Sequence, residues 1–574
     1  MRLPAHQDRT LVERDSRPLM RAGFLVVLLL SLTPVLALLH TAFFAHGAFR
    51  PADALDQMLR PASLRATWTS LETAGLSAML AMAIGGSAAF VLAATDLRGK
   101  RLFAFLFAAS MLIAPQVAGL AFKTLAGPAS PLLKMLGLAP PPGTPNPLLG
   151  KLGVILILGL HHAPLAMLTL LAGLKSVPNA QIEAARLDGA SPFGLSVRIV
   201  APLVRGHVVA AILLCFVAAL GNFGIPALLG LPVNVETLPT LMYRRLASVG
   251  PGSIADVAAL SVLVGAVALA AVAASEWLLR RTPEALEGEV RLRPYWPLGR
   301  LRPAVETVMI ALIGVALVLP VASLASAALS PAYGVPLSWA TASMAAFTEV
   351  LVRQPATLAA LATSFWLSAS AALIVSLLAV PVAYAVTHAS RRGRLVAGFM
   401  VDVPYALPGI VLAIATILLL LKPLPLLNIS LYATPWIILF AYVARFMALA
   451  VKPVAASLRQ IDPALEEAGA LCGAGPVTRL LTLVRPAIAP AMLAGAMFVF
   501  LTAFNELTVS ALLWSAGART LGVVMYGLEE AGLTPEASAL GLSTIAVVLA
   551  LMLALDRMGR SLPPGVLPWA VDSD

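Results

Sequence analysis

Few side chains in this chain of 574 residues could do chemistry, and those few recur in pairs. Asn222 and Glu506 stand 284 residues apart within long apolar runs, in GNFGIPALLG and FNELTVSALLW, and Asn505 adjoins the second. An amide or carboxylate in such a run marks either a polar pathway or an interhelical hydrogen bond, and sequence leaves both readings open. His161 and His162 invite a metal-ligand reading, but adjacent positions point about 100° apart on a helix, so a shared ion is disfavoured. At the same displacement His161 falls on Arg445, which is expected to snorkel toward an interface near Lys452. Asp402 has no reading from sequence. Outside the apolar runs Glu183 and Glu467 repeat in the same register, each with a glycine six residues on, Gly189 and Gly473. The sequence offers no Ser/His or two-aspartate constellation for catalysis. Its Gly-Lys pairs, Gly99-Lys100 and Gly150-Lys151, lack the preceding glycine and following Ser or Thr of a phosphate-cradling loop. No catalytic residue, no metal site and no nucleotide site are expected in this chain. What remains is binding, gating and docking.

The elements that must position these residues are set by composition. Hydrophobic residues make up 60% of the chain and charged residues 12%, with mean hydropathy +0.91. That excludes an aqueous fold and requires lipid as the solvent. The net charge of +11 comes from basic residues in short loops between apolar runs, which argues for membrane orientation rather than nucleic-acid binding. Twelve runs reach the roughly 20 residues needed to cross a bilayer. The first, after Arg2, Arg9, Arg14, Arg17 and Arg21, has no convincing cleavage site and reads as an uncleaved span. With the N-terminus inside, the inner segments carry about 27 Lys and Arg against about 11 outside, so both termini are expected to be cytoplasmic. Cys215 in an apolar run and Cys472 in a polar loop are not expected to pair.

The polar repeat is the most specific signal. IEAARLDGASPFGLSVRIVAP, around Glu183, matches EEAGALCGAGPVTRLLTLVRP, around Glu467, with Glu, Gly, an aliphatic residue and Pro in register. TDLRGKR and ASRRGR echo each other upstream, and Pro115 has its counterpart in Pro404 or Pro408. Six spans separate the copies, so the halves are parallel repeats. Each copy reads as a short helix opened by Pro178 or Pro463, with its glutamate in the first turn. A left-handed turn at Gly189 or Gly473 breaks that helix, and Pro202 or Pro486 opens the next span. Both loops are expected on the cytoplasmic face.

EAARLDG followed by RIVAP, and EAGALCG followed by TLVRP, resemble the EAA loop of binding-protein-dependent ABC importer permeases. The segments GNFGIPALLG, LPTLMYRRL and AFNELTVSALLW look most like the ferric-iron group. The resemblance implies an all-α polytopic protein of the type I importer fold, with about twelve spans in two six-helix halves. It places a first permease domain at 66–278, after a cytoplasmic tail, first span and periplasmic loop (1–65), and the charged, proline-bearing stretch 279–303 reads by composition as a cytoplasmic linker. A seventh span with its loop (304–357), a second permease domain (358–557) and a tail (558–574) follow. It also implies a bacterial inner-membrane location, two copies of a separate ATPase that holds ATP and Mg, and a periplasmic substrate-binding protein. The residues carried over are Glu183, Ala184, Ala185 and Gly189 for one ATPase, and Glu467, Ala468, Gly469 and Gly473 for the other. Gly469 departs from the alanine of the pattern, at a cost of about 1 kcal/mol in helix propensity. Asn222, Asn505 and Glu506 are candidates for the translocation path. Polyamine, thiamine or phosphonate import by the same machinery, and an ion-coupled secondary transporter, are the alternatives.

Overall fold

The computed structural model describes residues 8–45, 48–247, 253–280, 294–423 and 428–558. The first residues of the N-tail, most of the expected linker and the tail beyond 558 lie outside them. Among the described residues the chain is almost wholly helical, apart from a two-stranded hairpin pairing Phe44 with Phe49. Ten helices are long and apolar enough to cross a membrane, and three further helix pairs are bent by 77° to 103°.

Two of those bends fall inside apolar runs that the sequence counts as single spans. Lys100–Met111 meets Pro115–Met135 at 93°, and Arg391–Ala406 meets Gly409–Leu420 at 103°. Ala114 and Leu407 are extended, each next to a proline, Pro115 and Pro408. A residue before proline avoids the helical region, so each span breaks there. Pro408, not Pro404, is therefore the counterpart of Pro115; Pro404 lies inside its helix.

The repeat is exact over long stretches. Lys151–Lys175 and Pro435–Arg459 are both 25 residues, Asn179–Leu187 and Pro463–Leu471 both nine, and Ala201–Leu220 and Arg485–Phe504 both 20. Prolines also account for five wide turns. The residue just before Pro34, Pro202, Pro320, Pro355 or Pro486 donates its amide five residues back instead of four. Proline has no N–H and its ring collides with the carbonyl four residues earlier, and the wider turn relieves both. Pro202 and Pro486 consequently sit inside continuous helices, Pro192–Leu220 and Pro476–Phe504, rather than opening new ones.

Two compact units form. One contains residues up to Ala54 together with Ala359–Val523 and the end of the last helix from Ala550; the other contains Leu55–Leu358 with Val524–Leu549. In the first unit the N-terminal helix crosses Pro355–His388 at Gly23, where any Cβ would collide with the Pro381 carbonyl. Glycine permits that approach of backbones. In the second unit the helix Leu319–Leu329 lies on Pro115–Ala126, and Ser323 and Thr124 share a 2.9 Å hydroxyl hydrogen bond. In each unit, then, the extra helix that precedes one half of the sequence packs on the spans of the other half.

Candidate functional site

Each polar loop folds into a nine-residue helix, a glycine turn and a second helix. Gly189 and Gly473 adopt φ of +78° and +79°. Their amides donate to Arg186 and Ala470, and the next amides, Ala190 and Ala474, donate to Ala185 and Gly469. That pair of bonds is the glycine stop of a helix C-terminus. The N-termini differ. Asp462 caps its helix through a 2.9 Å bond from the Ala464 amide, with Pro463 following; Pro178 occupies the cap position itself and makes no such bond. Glu183 and Glu467 stand at the fifth helical position, beyond the first turn, so the N-terminal dipole does not explain them.

The loops expose apolar side chains at identical repeat positions. Leu187 is 90% exposed and Phe193 68%, with Val197 beside them; Leu471 is 80% and Val477 66%, with Leu481. Glu183, Ala184 and Gly189 are exposed too, as are Ala468 and Gly473, while Ala185, Glu467 and Gly469 are half-buried. Each loop thus exposes apolar side chains at the same three repeat positions.

Beneath the two helices the packing differs. Ile182 and Leu195 are buried in an apolar cluster below the first. Their equivalents below the second are Glu466, which accepts a 3.3 Å bond from the Tyr384 hydroxyl, and Arg479, whose side chain is buried. A Cβ at Gly469 would lie 2.8 Å from Leu483 and 3.3 Å from the Arg479 stem. The glycine thus makes room for an arginine where the first half has leucine. Gly469→Ala is expected to loosen this packing by about 1–3 kcal/mol, the range for overpacking. Adding Arg479→Leu should restore most of the loss, measured as thermal unfolding in detergent.

The intramembrane polar residues have local work. Asn222 accepts from the Ile225 amide at 3.1 Å, and Glu506 accepts from Val509 at 2.9 Å and from Ser510 at 3.2 Å. Each therefore caps the short helix that follows a span, Gly224–Leu229 and Ser510–Leu513. Asn505 donates weakly to the Leu501 carbonyl. At these breaks the bent spans meet: a Cβ at Gly224 would lie 2.8 Å from the Gln116 amide, and one at Gly409 2.9 Å from both Arg445 and Thr508. Arg445 does not snorkel; it donates at 3.2 Å to the Leu407 carbonyl, left unpaired where Pro408 breaks the helix. It also acts electrostatically on Glu506. Asp402 pairs with Lys452 at 2.9 Å.

The histidine rings of His161 and His162 sit edge to face, 5.2 Å apart and buried, and no group of three or more His, Cys, Asp or Glu among the described residues could hold a metal. Tyr243 and Tyr526, at equivalent positions of Leu238–Ala247 and Leu521–Glu530, meet at 6.3 Å with rings perpendicular, and Phe223 packs on both. Arg244 is committed to Glu236 at 2.5 Å and Arg245 to the Ser63 hydroxyl at 3.0 Å. Sequence missed the Glu466–Arg479 replacement, although the register of the repeat already set those residues against Ile182 and Leu195.

A family model described as the binding-protein-dependent transport system inner membrane component matches the chain twice, over residues 101–282 and 375–568. A probable ABC transporter permease of Sinorhizobium fredii is 25% identical over 560 residues, 94% of this chain and 95% of that one. A putrescine transport system permease of Escherichia coli is 25% identical over 211 residues, 37% of this chain and 75% of its own. An Fe(3+)-transport system permease of Haemophilus influenzae is 32% identical over 173 residues, 29% of this chain and 33% of its own. Two matches to one family each contain one glycine-stopped loop and one capped break, as the internal repeat requires. The chain belongs to the family of binding-protein-dependent transport system inner membrane components and carries two of its permease domains in one polypeptide, as a multi-pass transport subunit of an ABC importer.

Proposed function

We propose that the chain gives alternating access to a small solute, driven by two copies of a separate ATPase docked on the two glycine-stopped loops, and that the solute is ferric iron delivered by a periplasmic binding protein. The carrying observation is the pair of exposed apolar trios, Leu187, Phe193 and Val197 on one loop and Leu471, Val477 and Leu481 on the other. In this reading Glu183, Ala184, Ala185 and Gly189 form the first docking element, and Glu467, Ala468, Gly469 and Gly473 the second. Both loops and both termini face the cytoplasm of a bacterial inner membrane, in keeping with the basic bias of the inner segments. ATP and Mg belong to the partner. Asn222, Asn505 and Glu506 stand beside the path, where the caps hold the broken helices in shape.

Support for iron comes from the partial likeness to an Fe(3+)-transport permease. The likeness to a putrescine permease supports the second reading, the same machinery with a polyamine as cargo. An ion-coupled secondary transporter needs a free carboxylate at midplane, and Glu506 is instead bonded to two backbone amides. The test is uptake into vesicles holding the chain, its ATPase and its binding protein. ATP-dependent accumulation of ferric iron and not of putrescine is expected; putrescine uptake would favour the second reading, and uptake without ATP would overturn both.

A further inference from the structure

The stretch that sequence assigns to a linker between the halves is built into the first half where the structure describes it. The Tyr295 and Trp296 amides both donate at 2.9 Å to the Ala94 carbonyl, at the end of Pro61–Ala94, and Trp296 forms a parallel bridge with Thr95. The Leu298 amide donates at 2.8 Å to Asp96, whose other oxygen pairs with Arg302. The Trp296 ring packs edge-on against Phe90 at 5.8 Å. Tyr295 is 2% exposed and lies in the apolar cluster with Ile182 and Leu195, under the first docking helix. Its hydroxyl shares a 2.9 Å hydrogen bond with Ser196, in the wide turn that follows the loop.

The strap therefore touches the docking loop at one end and runs into a long helix at the other. From Gly299 the chain continues as a helix to Leu329, whose first part packs on Lys100–Met111 and whose last part packs on Pro115–Ala126, one of the bent pairs of this unit. Displacement of the loop thus reaches the helices packed on that bent pair through Ser196 and Tyr295, at the very start of the loop's own span. In the other unit the N-terminal helix Asp8–Val27 lies against the second docking helix, Pro463–Leu471, so the same arrangement of extra helix and loop recurs there.

We propose that residues 294–302 are a coupling brace, with Tyr295 as a positioning residue that ties the first docking helix to the extra helix of its unit. The proposal rests on the reading of the loops as ATPase docks. The Leu298 amide, and after it Arg302, hold the Asp96 carboxyl below its usual range. A lowered carboxyl gives its contribution above its unfolded value and loses it as pH falls through the folded one, so the anchor stays charged near neutrality.

The experiment uses the full chain reconstituted with its ATPase, reading how many-fold the binding protein stimulates ATP hydrolysis. Tyr295→Phe, Ser196→Ala, their combination and Asp96→Asn are compared with the unchanged chain. Removing one hydrogen bond of about 1 kcal/mol predicts a loss of stimulation of roughly fivefold for Tyr295→Phe. Ser196→Ala should match it, the pair should lose no more than either alone, and the KM for ATP and the unstimulated rate should hold. Full stimulation in Tyr295→Phe and in Asp96→Asn would overturn the brace. So would a parallel fall in assembly, unstimulated rate and stimulation, which is the signature of a purely structural residue. If the unchanged chain shows no stimulation, the docking reading itself fails, a distinct outcome.

Discussion

Glu506→Ala costs the inserted protein about 2–4 kcal/mol, the range for leaving two buried amides without an acceptor. The side chain is buried and accepts the Val509 and Ser510 amides, the only capping groups the short helix Ser510–Leu513 receives from a side chain among the described residues. Alanine leaves two buried amides without an acceptor. Glu506→Gln keeps one acceptor oxygen and should fall between alanine and the unchanged chain. The first half performs the same capping with neutral residues, Asn222 and His161 standing where the second half has Glu506 and Arg445. Glu506→Asn combined with Arg445→His should therefore recover much of the stability that either change loses alone. Retention of folded, monodisperse protein on heating in detergent measures all five variants. Additive losses in the pair would contradict coupling between the two residues.

Gly189→Val and Gly473→Val are expected to abolish ATP-driven uptake while leaving the amount of protein in the membrane unchanged. Nothing lies within 4 Å of a Cβ built at either glycine, so the penalty comes from the left-handed backbone alone. For an L residue that is about 1–2 kcal/mol, and a β-branched side chain makes it worse. A nine-residue helix is marginal without its ends fixed, so losing the stop shifts the loop away from its docked shape. Asparagine tolerates the left-handed region, and Gly189→Asn should retain most of the uptake. Full transport in either valine variant would contradict the account of the turn.

How much of this was legible in the sequence follows from the range of the interactions. Helical repeat, glycine stop and span count depend on neighbours along the chain, and the register of Glu183 with Glu467 already carried them. The bends at Ala114 and Leu407 were also local, written in Pro115 and Pro408, but the apolar runs continued through them and masked the break. Arg445 was misplaced because its partner, the Leu407 carbonyl, becomes available only once that helix breaks. The exchange of extra helices between halves depends on contacts such as Gly23 with Pro381, far apart in sequence and without any charge or motif to signal them. Tyr295 and Trp296 sat in a charged, proline-bearing stretch whose composition described a solvated linker, and only the Ala94 and Asp96 acceptors reveal it as a strap.

Cys472 gives the most direct test of the central claim, that the two glycine-stopped loops are where a separate ATPase takes hold. It lies exposed at the end of the helix Pro463–Leu471, next to Gly473, while Cys215 is buried. A polar, membrane-impermeant maleimide should label Cys472 in inside-out vesicles and not in right-side-out ones, and bound ATPase should slow that labelling severalfold. Labelling from the outer face, or a rate indifferent to the ATPase, would contradict it.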